Sequence, residues 1–286
     1  YIADVSSAEK RAQNFGLLGA AFGLGFIIGP VTGGILGEIG PRVPFYAAAL
    51  VTFLNLTYGY FILPESLHKE NRREFEWSRA NPLGALFALK RYPSVAGLIG
   101  ALTFIYLASH AIQGTWTYFS MEKFNWSESM VGYSLGLVGI MSALVQGLLI
   151  RIIIPKIGEY NTMITGIIFN ICGCLLFSMA SEGWMLLCFI IPYSLGGIAG
   201  PAIQGILSNQ IPDNEQGQLQ GALTSMMAAT GIIGPLMMTS IFAYFTAENA
   251  PIYFPGAPFV TGAVLVAICL FLILRKGSKY TTGNPI

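Results

Sequence analysis

The stretch Gly25-Phe26-Ile27-Ile28-Gly29-Pro30-Val31-Thr32-Gly33-Gly34 decides how this 286-residue chain folds. Its glycines recur every fourth residue, so one face of a helix built from it carries almost no side chains. A neighbouring helix can approach such a face to backbone contact, while the proline removes one hydrogen-bond donor and bends the helix. A tight helix contact, a hinge or seal between helices, or both are therefore expected at Gly25, Gly29, Pro30, Gly33 and Gly34.

The composition surrounding this stretch excludes most classes of protein. Charged residues make up 10% of the chain and hydrophobic residues 54%, whereas a soluble domain carries about 25% charged residues. The net charge of +1 argues against a partner of nucleic acid. The sequence contains no Ser/His/Asp set, carboxylate pair or HExxH motif typical of an enzyme. We therefore expect a membrane protein that is not an enzyme and binds no metal or other cofactor of its own.

Apolar runs long enough to cross a bilayer as helices recur along the chain, since about 20 residues suffice. The predicted fold class is an all-α polytopic membrane protein with eight transmembrane helices. The segments lie near residues 14–36, 44–63, 95–119, 130–150, 161–180, 184–207, 219–245 and 256–274.

The opening stretch returns near the other end of the chain. Ile27-Ile28-Gly29-Pro30 corresponds to Ile232-Ile233-Gly234-Pro235, and at the same offset Gln13 corresponds to Gln218. Four predicted segments lie between the copies, so the repeat unit has six helices. We expect the first copy to show only its last two helices, with about 110 residues and four more helices ahead of it. Two unrelated glycine-rich helices could also produce part of this match.

The positive charges predict the orientation and the division of the chain. Of the 15 Lys and Arg residues, all but Arg42 and Lys123 fall on one side of the predicted helices. Because short positively charged loops stay in the cytoplasm, both ends of the chain are expected there. The predicted parts are the last two helices of an N-terminal half at 1–63, a central cytoplasmic loop at 64–92, a six-helix C-terminal half at 93–275 and a cytoplasmic tail at 276–286.

Further motifs along nearly the whole chain carry a family resemblance. With the GxxxGPxxGG pattern of the opening stretch, they resemble the tetracycline efflux pump family of the major facilitator superfamily. They are Tyr1-Ile2-Ala3-Asp4, Phe15-Gly16, Leu63-Pro64-Glu65-Ser66, Gly196-Gly197-Ile198-Ala199, Pro201-Ala202-Ile203-Gln204-Gly205, Glu215-Gln216-Gly217 and Leu219-Gln220-Gly221.

This resemblance implies a fold of twelve helices in two halves, of which the chain supplies helices 5 to 12. It also implies export of a small amphipathic drug, in exchange for protons, across a bacterial inner membrane by alternating access. The partners would be the solute, protons and the lipid bilayer. A divalent metal such as Mg²⁺ would enter only as part of a chelated solute. Nothing in the sequence defines an oligomeric state.

Three positions depart from the tetracycline pumps. Those pumps carry a histidine where this chain has Ser142, an aspartate where it has Asn170 and a glutamine where it has His110. All 14 acidic residues are predicted in loops or at helix ends, which leaves His110 as the ionisable residue within the membrane besides cysteines and tyrosines. Proton coupling needs groups that gain and lose a proton, so His110 is a candidate.

Polar residues within the predicted membrane segments are candidates for a substrate or proton cavity. His110, Gln113 and Trp116 follow one another at intervals of three, which places them near one helix face. Hydrogen bonding between helices is the alternative role for each polar side chain, because an unpaired polar group in lipid is costly. The further candidates in other segments are Ser142, Gln146, Asn170 and Gln204.

Two loops related by the repeat carry acidic residues on the predicted cytoplasmic side. One contains Asp4 and Arg11, and the other contains Asp213 and Glu215. We interpret them as cytoplasmic gate loops whose charges cap or tether neighbouring helix ends. An ordinary solvated turn is the alternative.

The sequence leaves three functions open. The first is proton-driven export of a tetracycline-like solute. The second is uptake or facilitated transport of a metabolite without proton antiport, which the neutral second half of the chain would allow. The third is a membrane receptor or scaffold that does not transport, although such a protein would not need the glycine seal.

Overall fold

The structure is a computed structural model that describes residues 11–64, 93–208, 210 and 216–275. Within these ranges the regular elements are helices, as the sequence predicts. They are α1 (Arg11–Ile39), α2 (Val43–Ile62), α3 (Pro93–Phe124), α4 (Glu128–Leu144), α5 (Ile150–Met179), α6 (Gly183–Leu195), α7 (Ala199–Ser208), α8 (Gln216–Thr246) and α9 (Ala257–Arg275).

Irregular turns interrupt the long helices at three places. A π turn at Val145–Leu149 connects α4 to α5, and a 3₁₀ turn at Gly196–Ile198 connects α6 to α7. Within α5 the chain leaves helical geometry at Gly158, where φ is 77°. That left-handed conformation suits glycine, which has no Cβ to clash with the backbone.

The count of eight membrane helices is not confirmed. Six stretches of the described residues are long and apolar enough to cross a membrane. One of them, Glu128–Met179, covers two predicted segments with the turn at Gly158 between them. In the segment predicted at 14–36, the apolar stretch of the described residues is Gly23–Ile39, which is shorter.

The chain forms two compact units. The first consists of Tyr1–Ala80 with Ser127–Ile140, and its described part contains α1, α2 and most of α4. The second consists of Asn81–Trp126 with Met141–Ile286 and contains the other helices.

In the first unit a short turn connects α1 to α2. The backbone N–H of Val43 donates to the carbonyl of Gly40 at 3.0 Å, and proline stands in the first turn of α2, where it costs no helix hydrogen bond. No side chain of α2 is buried, although the helix is rich in aromatic and aliphatic residues. Such a surface fits contact with lipid chains.

The second unit has a continuous core. Helix α3 packs against α8 and α9, and α5 packs against α6, α7 and α9. The core side chains include Leu98, Met163, Ile203, Leu219 and Val266, all of them buried. Because lipid is as apolar as leucine, such helices associate mainly through close van der Waals packing.

Candidate functional site

The opening glycine stretch packs against α4 within the first unit. A Cβ atom added to Gly34 would lie 2.5 Å from the carbonyl oxygen of Glu128 and 3.1 Å from the Cα of Gly132. A Cβ added to Gly132 would overlap the carbonyl oxygen of Pro30. The two helices therefore touch backbone to backbone, and a side chain at either glycine would push them apart.

The contact continues along α4 through two more glycines. A Cβ on Gly136 would lie 2.6 Å from the Cγ2 of Val31, and one on Gly139 would lie 2.8 Å from the Cγ1 of Ile27. Together with Gly132 these residues recur at i, i+4 and i+7, so they occupy one helix face. This spacing is visible in the sequence and could have identified α4 as the partner of the glycine stretch.

The glycines of the predicted stripe do not make this contact with α4. A Cβ on Gly25, Gly29 or Gly33 would meet nothing within 4 Å in the part of the chain that the structure describes. Successive helix residues are rotated by about 100°, so Gly34 and Pro30 face a different direction from this stripe. The backbone contact with α4 is thus made by Pro30 and Gly34.

A cavity of about 230 Å³ lies within the second unit. Three amide side chains line it, from Gln146 in the π turn, Asn170 in α5 and Gln204 in α7. Its other walls are glycine backbone, the phenol side chain of Tyr106 and apolar side chains, and no charged side chain is among its lining residues. These amides each offer a donor and an acceptor, so the cavity suits a neutral polar group.

Close packing between α5 and the broken helix beside it positions Asn170. A Cβ on Gly166 would lie 2.6 Å from the backbone nitrogen of Ala199, and one on Gly173 would lie 2.6 Å from the Cα of Tyr193. Between these two contacts, Asn170 faces Gly196, whose Cβ would lie 3.0 Å from the asparagine Cβ. The backbone contacts on both sides fix Asn170 at the edge of the cavity.

The two irregular turns meet at the same cavity. Gln146 belongs to the π turn, and a Cβ on Gly197 of the 3₁₀ turn would lie 3.6 Å from its Nε2 atom. Turns of both kinds inside helices often mark functional sites or hinges, because their hydrogen-bond geometry is weaker than that of an α-helix. An amide within an apolar segment singles out Gln146 in the sequence, but it does not show that the residue lies in a π turn.

His110, Gln113 and Trp116 are not among the residues that line this cavity. The His110 ring is half-buried against Gly234, while Gln113 is exposed and its Nε2 lies 3.4 Å from the Ser109 Oγ atom. Six residues along a helix correspond to about 600°, so Trp116 is rotated by about 120° from His110.

Trp116 belongs to a buried aromatic cluster instead. Its ring centroid lies 5.0 Å from that of Phe177 and 6.3 Å from that of Phe259, both in edge-to-face geometry. Trp116 is 2% exposed, and Phe177 and Phe259 are fully buried. The cluster joins α3, α5 and α9 in the second unit.

The remaining predicted residues are not brought to the cavity by the described structure. Ser142 is half-buried in α4 and is not among the lining residues. Asp4, Asp213 and Glu215 lie outside the described residues, as does the side chain of Arg11. The gate-loop interpretation therefore stays a prediction.

The packed apolar helices and their close glycine contacts are those of a multi-pass membrane protein. The sequence profile of the Major Facilitator Superfamily matches residues 1–235 and, in a second match, residues 111–285. The chain belongs to the Major Facilitator Superfamily and, within it, is a tetracycline-efflux-like protein.

Individual relatives support this assignment. The chain is 37% identical to the tetracycline resistance protein, class C, of Escherichia coli, over 97% of this chain and 68% of that protein. It is 33% identical to the class H protein of Pasteurella multocida, over 98% and 69% of the two chains. The crystal structure of the human organic anion transporter MFSD10 (TETRAN) matches with a TM-score of 0.64 and 25% identity, over 95% of this chain and 66% of that one. The resemblance inferred from the motifs is confirmed.

Proposed function

We propose that the protein exports a small amphipathic solute, such as a tetracycline, in exchange for protons by alternating access. The uncharged amide-lined cavity in the second unit carries this proposal. The names of its relatives, which are tetracycline resistance proteins, support the choice of solute. We further propose a bacterial inner membrane with both ends of this chain in the cytoplasm, from the distribution of Lys and Arg.

The chemistry of the cavity favours a solute with a polar edge and an apolar body. The amides of Gln146, Asn170 and Gln204 can donate to and accept from such an edge, while Ile105 and Val266 contact its apolar part. Pockets for drug-sized ligands range from about 300 to 1,000 Å³, and this cavity has about 230 Å³. It therefore holds part of a tetracycline-sized solute. A divalent cation such as Mg²⁺ would accompany the solute as its chelate.

For the proton part of the exchange, His110 is the candidate within α3. Its ring is half-buried between helices, where a change in charge alters the packing of α3 against α8. We expect His110→Ala to shift the pH dependence of transport. An unchanged pH profile would assign His110 to packing alone.

The test of the cavity compares two asparagines of the same helix. Asn170 lines the cavity, whereas Asn161 is exposed and its Nδ2 donates to its own helix at the Ile157 carbonyl, 2.9 Å away. In everted membrane vesicles, uptake of tetracycline with Mg²⁺ and quenching of a pH-sensitive dye are measured together. Loss of one solute hydrogen bond at Asn170→Leu should raise KM about tenfold, and Asn161→Leu should leave KM unchanged.

Equal KM values for the two variants would reject the cavity as the solute site. Uptake of tetracycline without proton movement would reject antiport. Proton movement with other amphipathic drugs but not with tetracycline would support antiport and would reject tetracycline as the solute.

A second candidate function is facilitated transport without proton antiport. The observation that favours it is the absence of charged side chains from the cavity lining within the described residues. By the resemblance drawn from the sequence motifs, Ser142 and Asn170 also stand where tetracycline pumps carry ionisable residues. Solute exchange that proceeds without any proton gradient, and moves no protons, would support it over the first proposal.

A further inference from the structure

Three polar side chains join the ends of α1 and α4 beyond their glycine contact. The Ser129 hydroxyl donates to the carboxylate of Glu38. The Ser127 Oγ lies 3.4 Å from the Ser129 Oγ and accepts from the backbone N–H of Met130 at 3.3 Å. Ser127 is therefore the N-cap of α4, and it connects the start of this helix to the carboxylate at the end of α1.

The glycine contact extends from this end toward the middle of the helices and then stops. Gly34, Pro30 and Ile27 lie on one face of α1, and each contacts α4. Gly23 continues the same face one turn further, yet a Cβ there would meet nothing within 4 Å among the described residues. The described contact between the two helices thus runs from the Glu38 end as far as Ile27.

We propose that Glu38, Ser127 and Ser129 form a latch that holds the α1–α4 contact closed at this end, and that this latch must open once in each transport cycle. The positive charges predict that this end faces away from the cytoplasm. In alternating access, one end of the helix bundle closes while the other opens. The closed contact at the latch is then the state in which this end of the helix bundle is shut. The second half of the proposal rests on transport by alternating access.

Glu128 provides a direct reporter for the latch. A Cβ on Gly37 would lie 3.2 Å from the Glu128 Cβ atom, and disulfides join Cβ atoms about 3.5–4.5 Å apart. Gly37→Cys combined with Glu128→Cys should therefore cross-link after a small adjustment. Neither substitution removes a latch residue. The four native cysteines, Cys172, Cys174, Cys188 and Cys269, are first replaced by serine or alanine.

The cross-link is measured in the full-length protein in membrane vesicles. A protease site placed in the 64–92 loop separates the two positions along the chain, so only a cross-linked protein stays in one piece after cleavage. With the latch intact, cross-linking should be rapid. Because hydrogen bonds to an exposed carboxylate contribute modestly, Glu38→Ala or Ser129→Ala should slow it about threefold to tenfold. Glu38→Gln keeps a carbonyl acceptor and should slow it less.

Glu248→Ala is the matched control. It also removes one exposed carboxylate from the predicted non-cytoplasmic side, but Glu248 lies between α8 and α9 in the second unit. The control should cross-link at the parent rate. Equal rates for the parent, Glu38→Ala and Ser129→Ala would overturn the latch, provided that all variants insert into the membrane to the same extent.

Transport measurements distinguish a failure of the latch proposal from a failure of the proposed function. The cross-linked protein should stop transporting, and a reductant should restore transport. Full transport in the cross-linked state would overturn the requirement that this end opens. If no solute is transported by any variant, the proposed function fails, while the cross-linking rates still decide whether the latch exists.

Discussion

The imidazole ring of His110 lies against the backbone of Gly234. A Cβ added to Gly234 would lie 2.6 Å from the Cγ and 3.0 Å from the Cβ of His110. Gly234 belongs to the second copy of the Ile-Ile-Gly-Pro repeat, whereas Gly29 in the first copy meets nothing within 4 Å in the described part of the chain. The two copies share a sequence pattern, but their corresponding glycines have different surroundings.

Gly234→Ala should destabilise the second unit. The added methyl group must displace the His110 ring, and such overpacking costs about 1–3 kcal/mol. Gly231 lies three residues earlier in the same helix, and a Cβ there would meet nothing within 4 Å in the part of the chain that the structure describes. We therefore expect Gly231→Ala to leave the melting temperature in detergent unchanged while Gly234→Ala lowers it.

Removing the ring tests the cause of that effect. The double variant Gly234→Ala with His110→Ala should recover most of the lost stability, because the methyl group then has space. Additive losses in the double variant would show that Gly234 is required for another reason, such as the backbone of α8.

The helical fold could be predicted from apolar segment length because the bilayer fixes that length. The face of the glycine stretch that contacts α4 could not be predicted, because a stripe of small residues does not determine which face a neighbour uses. Residues 25, 29 and 33 gave the strongest pattern, yet Pro30 and Gly34 make the contact with α4. Which face of the glycine stretch makes the contact depends on Gly132, Gly136 and Gly139, about a hundred residues further along the chain.

Within the site, Gln146, Asn170 and Gln204 were identified from sequence because amides are rare in apolar helices and stand out. Their convergence on one cavity depends on the π turn and the 3₁₀ turn, which have no reliable sequence pattern. Trp116 was grouped with His110 by spacing alone. Its large ring instead fills a gap between helices, a packing preference that sequence spacing does not encode.

Gly132→Ala should separate α1 from α4. Its Cβ would overlap the backbone carbonyl of Pro30, which cannot rotate away as a side chain can. We expect a loss of about 1–3 kcal/mol, seen as a lower melting temperature, and slower cross-linking between positions 37 and 128. In the matched substitution Gly29→Ala, the methyl group would meet nothing within 4 Å among the described residues, so neither quantity should change. Equal behaviour of the two variants would contradict the backbone contact.

The latch should not respond to pH in the physiological range. Glu38 is exposed, one residue before the end of α1, and hydrogen bonds from Ser129 and then Ser127 lower its pKa from the ordinary 4.5. Because the carboxyl pKa of Glu38 is lowered, the carboxylate stabilises the latch fully when the pH is above the ordinary pKa. This stabilisation is lost as the pH falls through the lowered pKa. Glu128 is the other carboxylate beside it, with its Cβ and Cγ against Gly37.

The measurement compares the cross-linking rates with and without Glu38→Ala at each pH, so that the thiol chemistry cancels. Their ratio should stay constant from about pH 8 to about pH 5.5 and approach one only below the ordinary carboxyl pKa. A ratio that changes between those values would identify Glu38 as a group that titrates during the transport cycle.

Trp116→Ala should destabilise the protein strongly, but the loss of this side chain should not weaken solute binding in the cavity. The ring packs against Phe177 and Phe259, and removing a buried aromatic side chain costs about 3–5 kcal/mol. Trp184→Ala is the control, since Trp184 is 64% exposed and its loss should have little effect on the melting temperature.

Trp116→Phe keeps a ring in the cluster and should be folded well enough for transport assays. Because Trp116 does not line the cavity, Trp116→Phe should leave KM for the solute unchanged. An increase in KM comparable to that of Asn170→Leu would instead place Trp116 in contact with the solute.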